Sequence, residues 1–438
     1  MKFSKAKILE RIHAYIETEE APNFIAGETY VRTSGASWDA DDVVSLVDVA
    51  LRRWYTDAGT AYEFERYLAT VLKQRYVSLC NSGSSANLLA MSALTSKNLK
   101  DRALKRGDEV ITVACGFPTT VNPIVQCGLV PVFVDVSLPT YNALPHAISE
   151  AITDKTKAIF IAHTLGNPFK AEEIRDLADQ NGLWLIADCC DALGAEYNGF
   201  PLPHWADIST FSFYPAHHIS MGEGGALSTN NPMLNKIIRS FRDWGRDCWC
   251  ATGKDNTCGK RFNWQLGDLP KGFDHKYIYS EIGFNLKATD LQAALGISQI
   301  KKLPQFIDTR RRNWEFYWEH LVEYKKYLVL PESTKKGNPS WFGFTITVKE
   351  DAPFSRNELV NFLEENKIGT RMLFAGNLTK HPAYTDVKYR VSGTLHKTDL
   401  VMNNSFWIGV APIITRPMQE YVVTKIGEFI EKYTQGKK

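Results

Sequence analysis

The 438-residue sequence predicts a large α/β domain on a mostly parallel sheet, followed by a smaller C-terminal α+β domain. Three observations carry that expectation. Short apolar runs alternate with helical patterns through the first two thirds of the chain, as in strands joined by crossover helices. The alternation breaks between Cys248 and about Lys276, where Gly253, Gly259, Gly267, Pro270 and Gly272 leave no period. Beyond a helical stretch from Ala288 to Tyr324, strands and helices resume in a different order.

In chain order, the strands expected in the first part are Asp108–Ala114, Val130–Asp135, Ala158–Ala162, Leu183–Asp188 and Ile208–Ser212. These are short apolar runs, of the kind found in strands covered on both faces. Helix patterns fall at Ala86–Ser96 and Ala171–Asn181, the second stopped by Gly182. The long helix from Ala288 should be interrupted near Pro304, because proline removes a backbone donor. Strands are expected near Leu328–Pro331 and Phe342–Val348, then a helix at Asn357–Asn366. Strands near Thr370–Phe374 and Phe406–Val410 precede a closing helix at Arg416–Tyr433. The expected division is 1–287, including the cysteine-rich loop 248–276, and 288–438.

Hydrophobic residues at 44% and charged residues at 23% are ordinary for a folded protein. A net charge of +2 gives no reason to expect nucleic acid or an acidic membrane as a partner. The segment Met1 to Ile12 is basic but runs into a charged amphipathic helix without an apolar core, so no signal peptide is expected. No run approaches the length of a membrane span, and a cytoplasmic location is expected. Eight cysteines in such a chain point to thiols, a metal or a cluster rather than disulfides.

Several segments carry chemistry. Asn81 to Asn87 (Asn-Ser-Gly-Ser-Ser-Ala-Asn) joins a strand-like run to a helix. There Gly83 permits a tight turn, and Ser84, Ser85 and the first helical N–H groups can bind phosphate or only cap the helix. Asp188 ends an apolar strand, where a carboxylate can face a ligand crevice or cap a turn. Phe117 sits in a strand-to-helix turn and suits either a stacking surface or the core. Cys190, Cys248, Cys250 and Cys258 are separated by 57, one and seven residues. By chemistry alone they suit an iron–sulfur cluster, tetrahedral zinc or unliganded thiols, and Cys189 competes with Cys190.

The segment Phe211 to Gly225 reads Phe-Ser-Phe-Tyr-Pro-Ala-His-His-Ile-Ser-Met-Gly-Glu-Gly-Gly. It resembles the cofactor-lysine segment of the DegT/DnrJ/EryC1 sugar aminotransferases, with Ser212-Phe213, three variable residues, the lysine slot and a Gly-Glu-Gly-Gly turn. The lysine slot holds His217. Imidazole cannot form the imine by which lysine binds pyridoxal phosphate, so pyridoxamine phosphate could stay as a non-covalent prosthetic group. With a reference pKa near 6.5, roughly three quarters of free imidazoles are neutral at pH 7, against about one lysine in 2,500. His217 therefore suits a general base, worth about 10² to 10⁴ in rate.

The resemblance implies a fold-type I pyridoxal phosphate enzyme, a homodimer with the cofactor at the subunit boundary. It assigns phosphate binding to Gly83, Ser84, Ser85 and Ser212, the pyridine nitrogen to Asp188, and the ring face to Phe117. Asp191 stands where relatives commonly have glutamine near the ring hydroxyl. Asn285, in the Gly283 to Ala294 motif, would reach the neighbouring subunit's cofactor. The cysteine spacing is similar to that of the family's iron–sulfur dehydrases, which implies a [2Fe–2S] cluster on Cys190, Cys248, Cys250 and Cys258. The implied substrate is a CDP-4-keto-6-deoxyhexose, and the implied electron donor is a separate NADH-dependent flavin iron–sulfur reductase. Arg371 and His381 are further candidates, on polarity alone.

Overall fold

A computed structural model describes residues 4–19, 23–250 and 252–435. The N-terminal reading of Met1, Lys2 and Phe3 lies outside them, and the charged run that follows forms the helix Lys5–Glu17, capped by Ser4.

The large sheet has eight strands. In spatial order they are Tyr76–Cys80, Gly225–Thr229, Ile208–Ser212, Trp184–Asp188, Thr156–Ala162, Glu109–Val113, Val130–Val134 and Arg390–Val391. From Ile208–Ser212 to Arg390–Val391 every pairing is parallel, while Gly225–Thr229 runs antiparallel to both its neighbours. Alternate side chains explain why these strands read as continuous apolar runs. Ile159, Ile161, Leu185 and Ala187 enter one core cluster, and Ala158, Phe160, Trp184 and Ile186 enter another. Both faces are covered, so no polar alternation survives in the sequence.

Departures from the sequence expectation have local causes. The Asp290–Leu321 helix is not interrupted at Pro304. Pro304 is exposed, and buried Leu303, Phe306 and Ile307 hold the helix on both sides of it. Thr370–Phe374 is not a strand. Only Arg371 pairs, in a single bridge with Trp407, and Phe374 at φ 47° turns the chain away. The helix expected from Ala86 begins at Gly83, which places Gly83, Ser84 and Ser85 in its first turn.

After residue 288 the chain builds a three-stranded antiparallel sheet, with Gly343–Val348 between Leu328–Val329 and Ser405–Gly409. Phe344, Ile346, Phe406 and Ile408 pack there with Leu359 and Phe429 from two helices. The Asp290–Leu321 helix starts with a Thr289/Gln292 capping box and feeds both cores, through Ile300 and Phe306 at one end and Tyr317 and Leu321 at the other. Arg390–Val391 returns to the edge of the large sheet beside Val132 and Phe133. No helix among the described residues is long and apolar enough to cross a membrane.

Candidate active site

A cavity of about 500 Å³ opens at the carboxyl ends of the parallel strands, where a doubly wound sheet offers a ligand crevice. Phe117, His163, Asp188 and Ser212 come from four strand ends and line it with Gly83, His217 and Arg371.

Asp188 is 5% exposed and fully partnered. Its Oδ2 accepts from Asn87 Nδ2 at 2.8 Å and Thr120 Oγ1 at 2.7 Å, and its Oδ1 accepts from the Cys190 N–H at 3.0 Å. Thr210 Oγ1 in turn donates to Asn87 Oδ1 at 2.6 Å. The carboxylate is thereby fixed on the cavity wall.

Opposite it, the helix Gly83–Leu94 presents its N-terminus. Ser82 Oγ accepts from the Ser85 N–H at 3.1 Å, and the first intrahelical bond runs from Ala86 N–H to the Ser82 carbonyl. The Gly83 and Ser84 N–H groups precede that bond, as an anion site requires. A Cβ at Gly83 would lie 2.4 Å from Ser212 Cβ and 3.1 Å from Cys190 Sγ, so only glycine lets these residues close around the turn.

His217 reaches the cavity from the loop between Ile208–Ser212 and Gly225–Thr229. Its Nδ1 is buried 3.4 Å from Asp191 Oδ1, outside hydrogen-bond geometry. That nitrogen has no hydrogen-bond partner among the described residues. Burial pushes the Asp191 carboxyl above its usual pKa, and the adjacent His217 pulls it back. Arg310, fully buried in the long helix, grips the backbone. Its Nη2 donates to the His217 carbonyl at 3.2 Å and its Nη1 to those of Trp341 and Phe342. Burial lowers its pKa to about 10, against the pull of Asp191.

His218 does not face the cavity wall. It is buried, with Nε2 2.9 Å from the Ser340 carbonyl. His163 accepts the Phe169 N–H on Nδ1 at 3.1 Å and stacks on that ring. Burial depresses both imidazoles, His163 to about 3 and His218 well below its ordinary value. Their neutral forms stabilise the fold above the unfolded pKa near 6.5, and that contribution is lost as pH falls from there towards 3. Each group should cost about 1.4 kcal/mol per pH unit in this window. Urea midpoints are expected to fall between pH 6.5 and 5; a flat profile would remove both histidines from that role.

The sequence candidates do not all meet. Gly83, Ser84, Phe117, Asp188, Cys190, Asp191, Ser212, His217 and Arg371 line the cavity. Ser85 is turned to Ser82, and His381 is exposed with Nε2 2.7 Å from the Ala375 carbonyl. Asn285 is exposed and accepts from Lys287 Nζ at 2.7 Å. Cys189 is fully buried in the core. Burial beside Asp188 raises the Cys190 thiol well above its usual pKa. Cys248 and Cys250 line a different cavity with Arg242, Asp247 and Trp249.

The four expected ligands therefore do not converge as one set in this chain. Among the described residues, the ligand atoms within 4.8 Å of one another are those of Cys248, Cys250 and His275. The expected cluster on Cys190, Cys248, Cys250 and Cys258 gains no support from this arrangement. Spacing reported which thiols exist, not which strand end carries Cys190 into the other cavity. Asn87, Thr120, Arg310 and His163 were not identified from sequence.

The fit to pyridoxamine phosphate is better. Free N–H groups at a helix start, a fixed carboxylate, a half-exposed aromatic ring (Phe117) and an imidazole whose Nδ1 has no hydrogen-bond partner among the described residues share one cavity.

The DegT/DnrJ/EryC1/StrS aminotransferase family model matches residues 37–427. A Saccharopolyspora spinosa protein named dTDP-4-dehydro-2,6-dideoxy-D-glucose 3-dehydratase is 53% identical over 98% of this chain and 93% of its own. The lipopolysaccharide biosynthesis protein RfbH of Salmonella typhimurium is 53% identical over 97% of this chain and 98% of its own. An E. coli GDP-4-keto-6-deoxy-D-mannose-3-dehydratase structure with bound hydrated PLP superposes with a TM-score of 0.82 at 28% identity, covering 91% of this chain and 100% of that one. The chain belongs to the DegT/DnrJ/EryC1/StrS aminotransferase family and has the fold-type I architecture of PLP-dependent transferases.

Proposed function

We propose that this enzyme is a pyridoxamine-phosphate-dependent sugar 3-dehydrase of deoxysugar and lipopolysaccharide biosynthesis. Its finer identity, on this reading, is CDP-4-keto-6-deoxy-D-glucose 3-dehydrase. The observation that carries the proposal is His217 in place of lysine on the wall of a cavity otherwise equipped for the cofactor. The 3-dehydratase name of one relative and the lipopolysaccharide assignment of another support it.

When bound, pyridoxamine phosphate supplies an amine for a 4-keto group and a ring that accommodates charge. The residues have separate tasks. Gly83, Ser84 and Ser212 hold the phosphate at the helix start. Asp188 keeps the ring nitrogen protonated, as a nearby anion favours. Phe117 covers a ring face. His217 takes the proton from C4′, and Asp191 stabilises the resulting imidazolium while Arg310 holds the His217 backbone.

The finer reading also includes a CDP-linked 4-keto-6-deoxyhexose, a [2Fe–2S] cluster, a separate NADH-dependent flavin iron–sulfur reductase and a cytoplasmic homodimer with Asn285 at the partner's cofactor. Cys190 lies on the cofactor cavity while Cys248 and Cys250 line another, which favours a second reading, a cluster-free 3-dehydratase that closes its cycle with glutamate.

The test is anaerobic purification with metal analysis, followed by turnover of the CDP-sugar. About two irons and two sulfides per chain, with product formed only when NADH and reductase are present, support the first reading. Release of 2-oxoglutarate from glutamate, without a reductase, supports the second. A protein that turns over neither way overturns both.

A further inference from the structure

The cavity has walls of two origins. Gly83, Asp188 and Ser212 belong to the large sheet domain, whereas Arg371 and Trp407 come from the small one and Ser34 from the N-terminal segment. Arg371 is the only lysine or arginine among the described residues that line it.

The base of this side chain is held from both directions. Its backbone exchanges two hydrogen bonds with Trp407, one of 3.1 Å from the Arg371 N–H and one of 2.7 Å to the Arg371 carbonyl. The Trp407 indole Nε1 also donates to the Met372 carbonyl at 3.1 Å. On the other side, Glu364 Oε1 accepts from the N–H and the hydroxyl of Thr370 at 2.6 and 2.8 Å. Glu364 Oε2 accepts from the Tyr30 hydroxyl at 2.9 Å, and that hydroxyl lies beside the Arg371 guanidinium. Glu364 is thus occupied by neutral donors. Arg371 Nη1 donates to the Thr370 carbonyl at 2.7 Å, and no carboxylate among the described residues pairs with the exposed guanidinium. A cation fixed in place without a counter-ion suits an incoming anion.

The N-terminal segment is stitched to the same wall. The Val31 N–H donates to the Lys367 carbonyl and the Val31 carbonyl accepts from the Gly369 N–H, both at 2.8 Å. A Cβ at Gly409 would lie 2.4 Å from the Thr33 carbonyl oxygen, so glycine there lets Thr33 close in and Ser34 reach the cavity.

A nucleotide sugar carries an anion that fits this position. Its C4 ketone must meet the cofactor amine, while its diphosphate hangs from C1, across the pyranose ring. With C4 turned inward to His217 and buried Asp188, the diphosphate faces the mouth, where Arg371 is exposed. The cofactor's own phosphate has separate donors at the Gly83 helix start. We propose, on the nucleotide-sugar reading given above, that Arg371 binds the substrate's diphosphate, with Ser34 as a neutral donor on the same cavity wall. The guanidinium fork matches phosphate oxygens in pairs, which a lysine ammonium does not.

Isothermal titration of the full-length protein, loaded with pyridoxamine phosphate, tests this with CDP, dTDP, GDP and cytidine as probes. Arg371→Met is expected to weaken nucleoside diphosphate binding about ten- to a hundredfold, as loss of a charge-assisted contact does. Cytidine has no phosphate and should change by less than about twofold. Arg371→Lys keeps the charge without the fork, so affinity between those of wild type and Arg371→Met supports the subsite. Wild-type CDP affinity in Arg371→Met overturns it, and if glutamate binding alone falls, the arginine serves an amino donor's carboxylate instead. Equal losses for CDP and cytidine also overturn it, since the cavity itself is then damaged. Failure of the nucleotide-sugar reading looks different: the wild-type protein binds no nucleoside diphosphate, and the subsite falls with it.

Discussion

His217→Asn is expected to retain pyridoxamine phosphate yet exchange the C4′ proton with solvent roughly 10² to 10⁴ times more slowly. Asparagine is close to histidine in reach but does not accept a proton at neutral pH. The groups assigned to hold the cofactor, at the Gly83 helix start, Asp188 and Phe117, lie elsewhere on the cavity wall and stay in place. The Arg310 contact goes to the His217 backbone carbonyl, so the loop keeps its anchor in the variant. Deuterium incorporation followed by mass spectrometry reads the exchange, and the cofactor's absorbance reads retention. Unchanged exchange would remove His217 from the role of base. Lost cofactor would instead give it a binding role.

The legible parts of this fold were those whose burial imposes a pattern on a short window. Ile208–Ser212 was read to the residue because apolar side chains must cover the sheet there. Gly225–Thr229 was missed because Gly, Ala, Ser and Thr give it little apolar signal, and pairing with strands on both sides holds it instead. Thr370–Phe374 shows the reverse, an apolar stretch whose backbone turns at Phe374. In the site, Asp188 and His217 could be found because strand ends and a family-like turn mark their positions. Thr120 and Asn87 could not, since they meet Asp188 from 68 and 101 residues away and look like ordinary helix residues. Arg310 lies in a run of three arginines that reads as a solvated helix face, yet it is fully buried. Only tertiary packing distinguishes it from its neighbours. The cysteine spacing carried no information about His275, which sits 17 residues beyond Cys258 and 3.8 Å from its sulfur.

Asp188→Asn is expected to weaken pyridoxamine phosphate binding by about 2–5 kcal/mol, roughly 30- to 4,000-fold. Two effects act together. The ring nitrogen loses the anion that keeps it protonated, which also slows turnover by the enzyme that still binds cofactor. Inside the wall, Asn87 Nδ2 and Thr120 Oγ1 both point at one carboxylate oxygen, and the Cys190 N–H points at the other. An amide –NH₂ in either position meets a donor rather than an acceptor, a mismatch worth about 1–3 kcal/mol. Calorimetric titration of apoprotein with pyridoxamine phosphate measures the first effect, and the urea midpoint of the apoprotein measures the second. Wild-type affinity in Asp188→Asn would move the ring's anchor to another carboxylate, and Asp191 is the one that shares the cavity. Asp191 is the poorer candidate, because burial already disfavours its charge and His217 engages the charge it has. The double variant Asp188→Asn/Asp191→Asn decides between them: if Asp188 is the anchor, the second substitution should add little to the loss of affinity and show itself in the exchange rate at C4′.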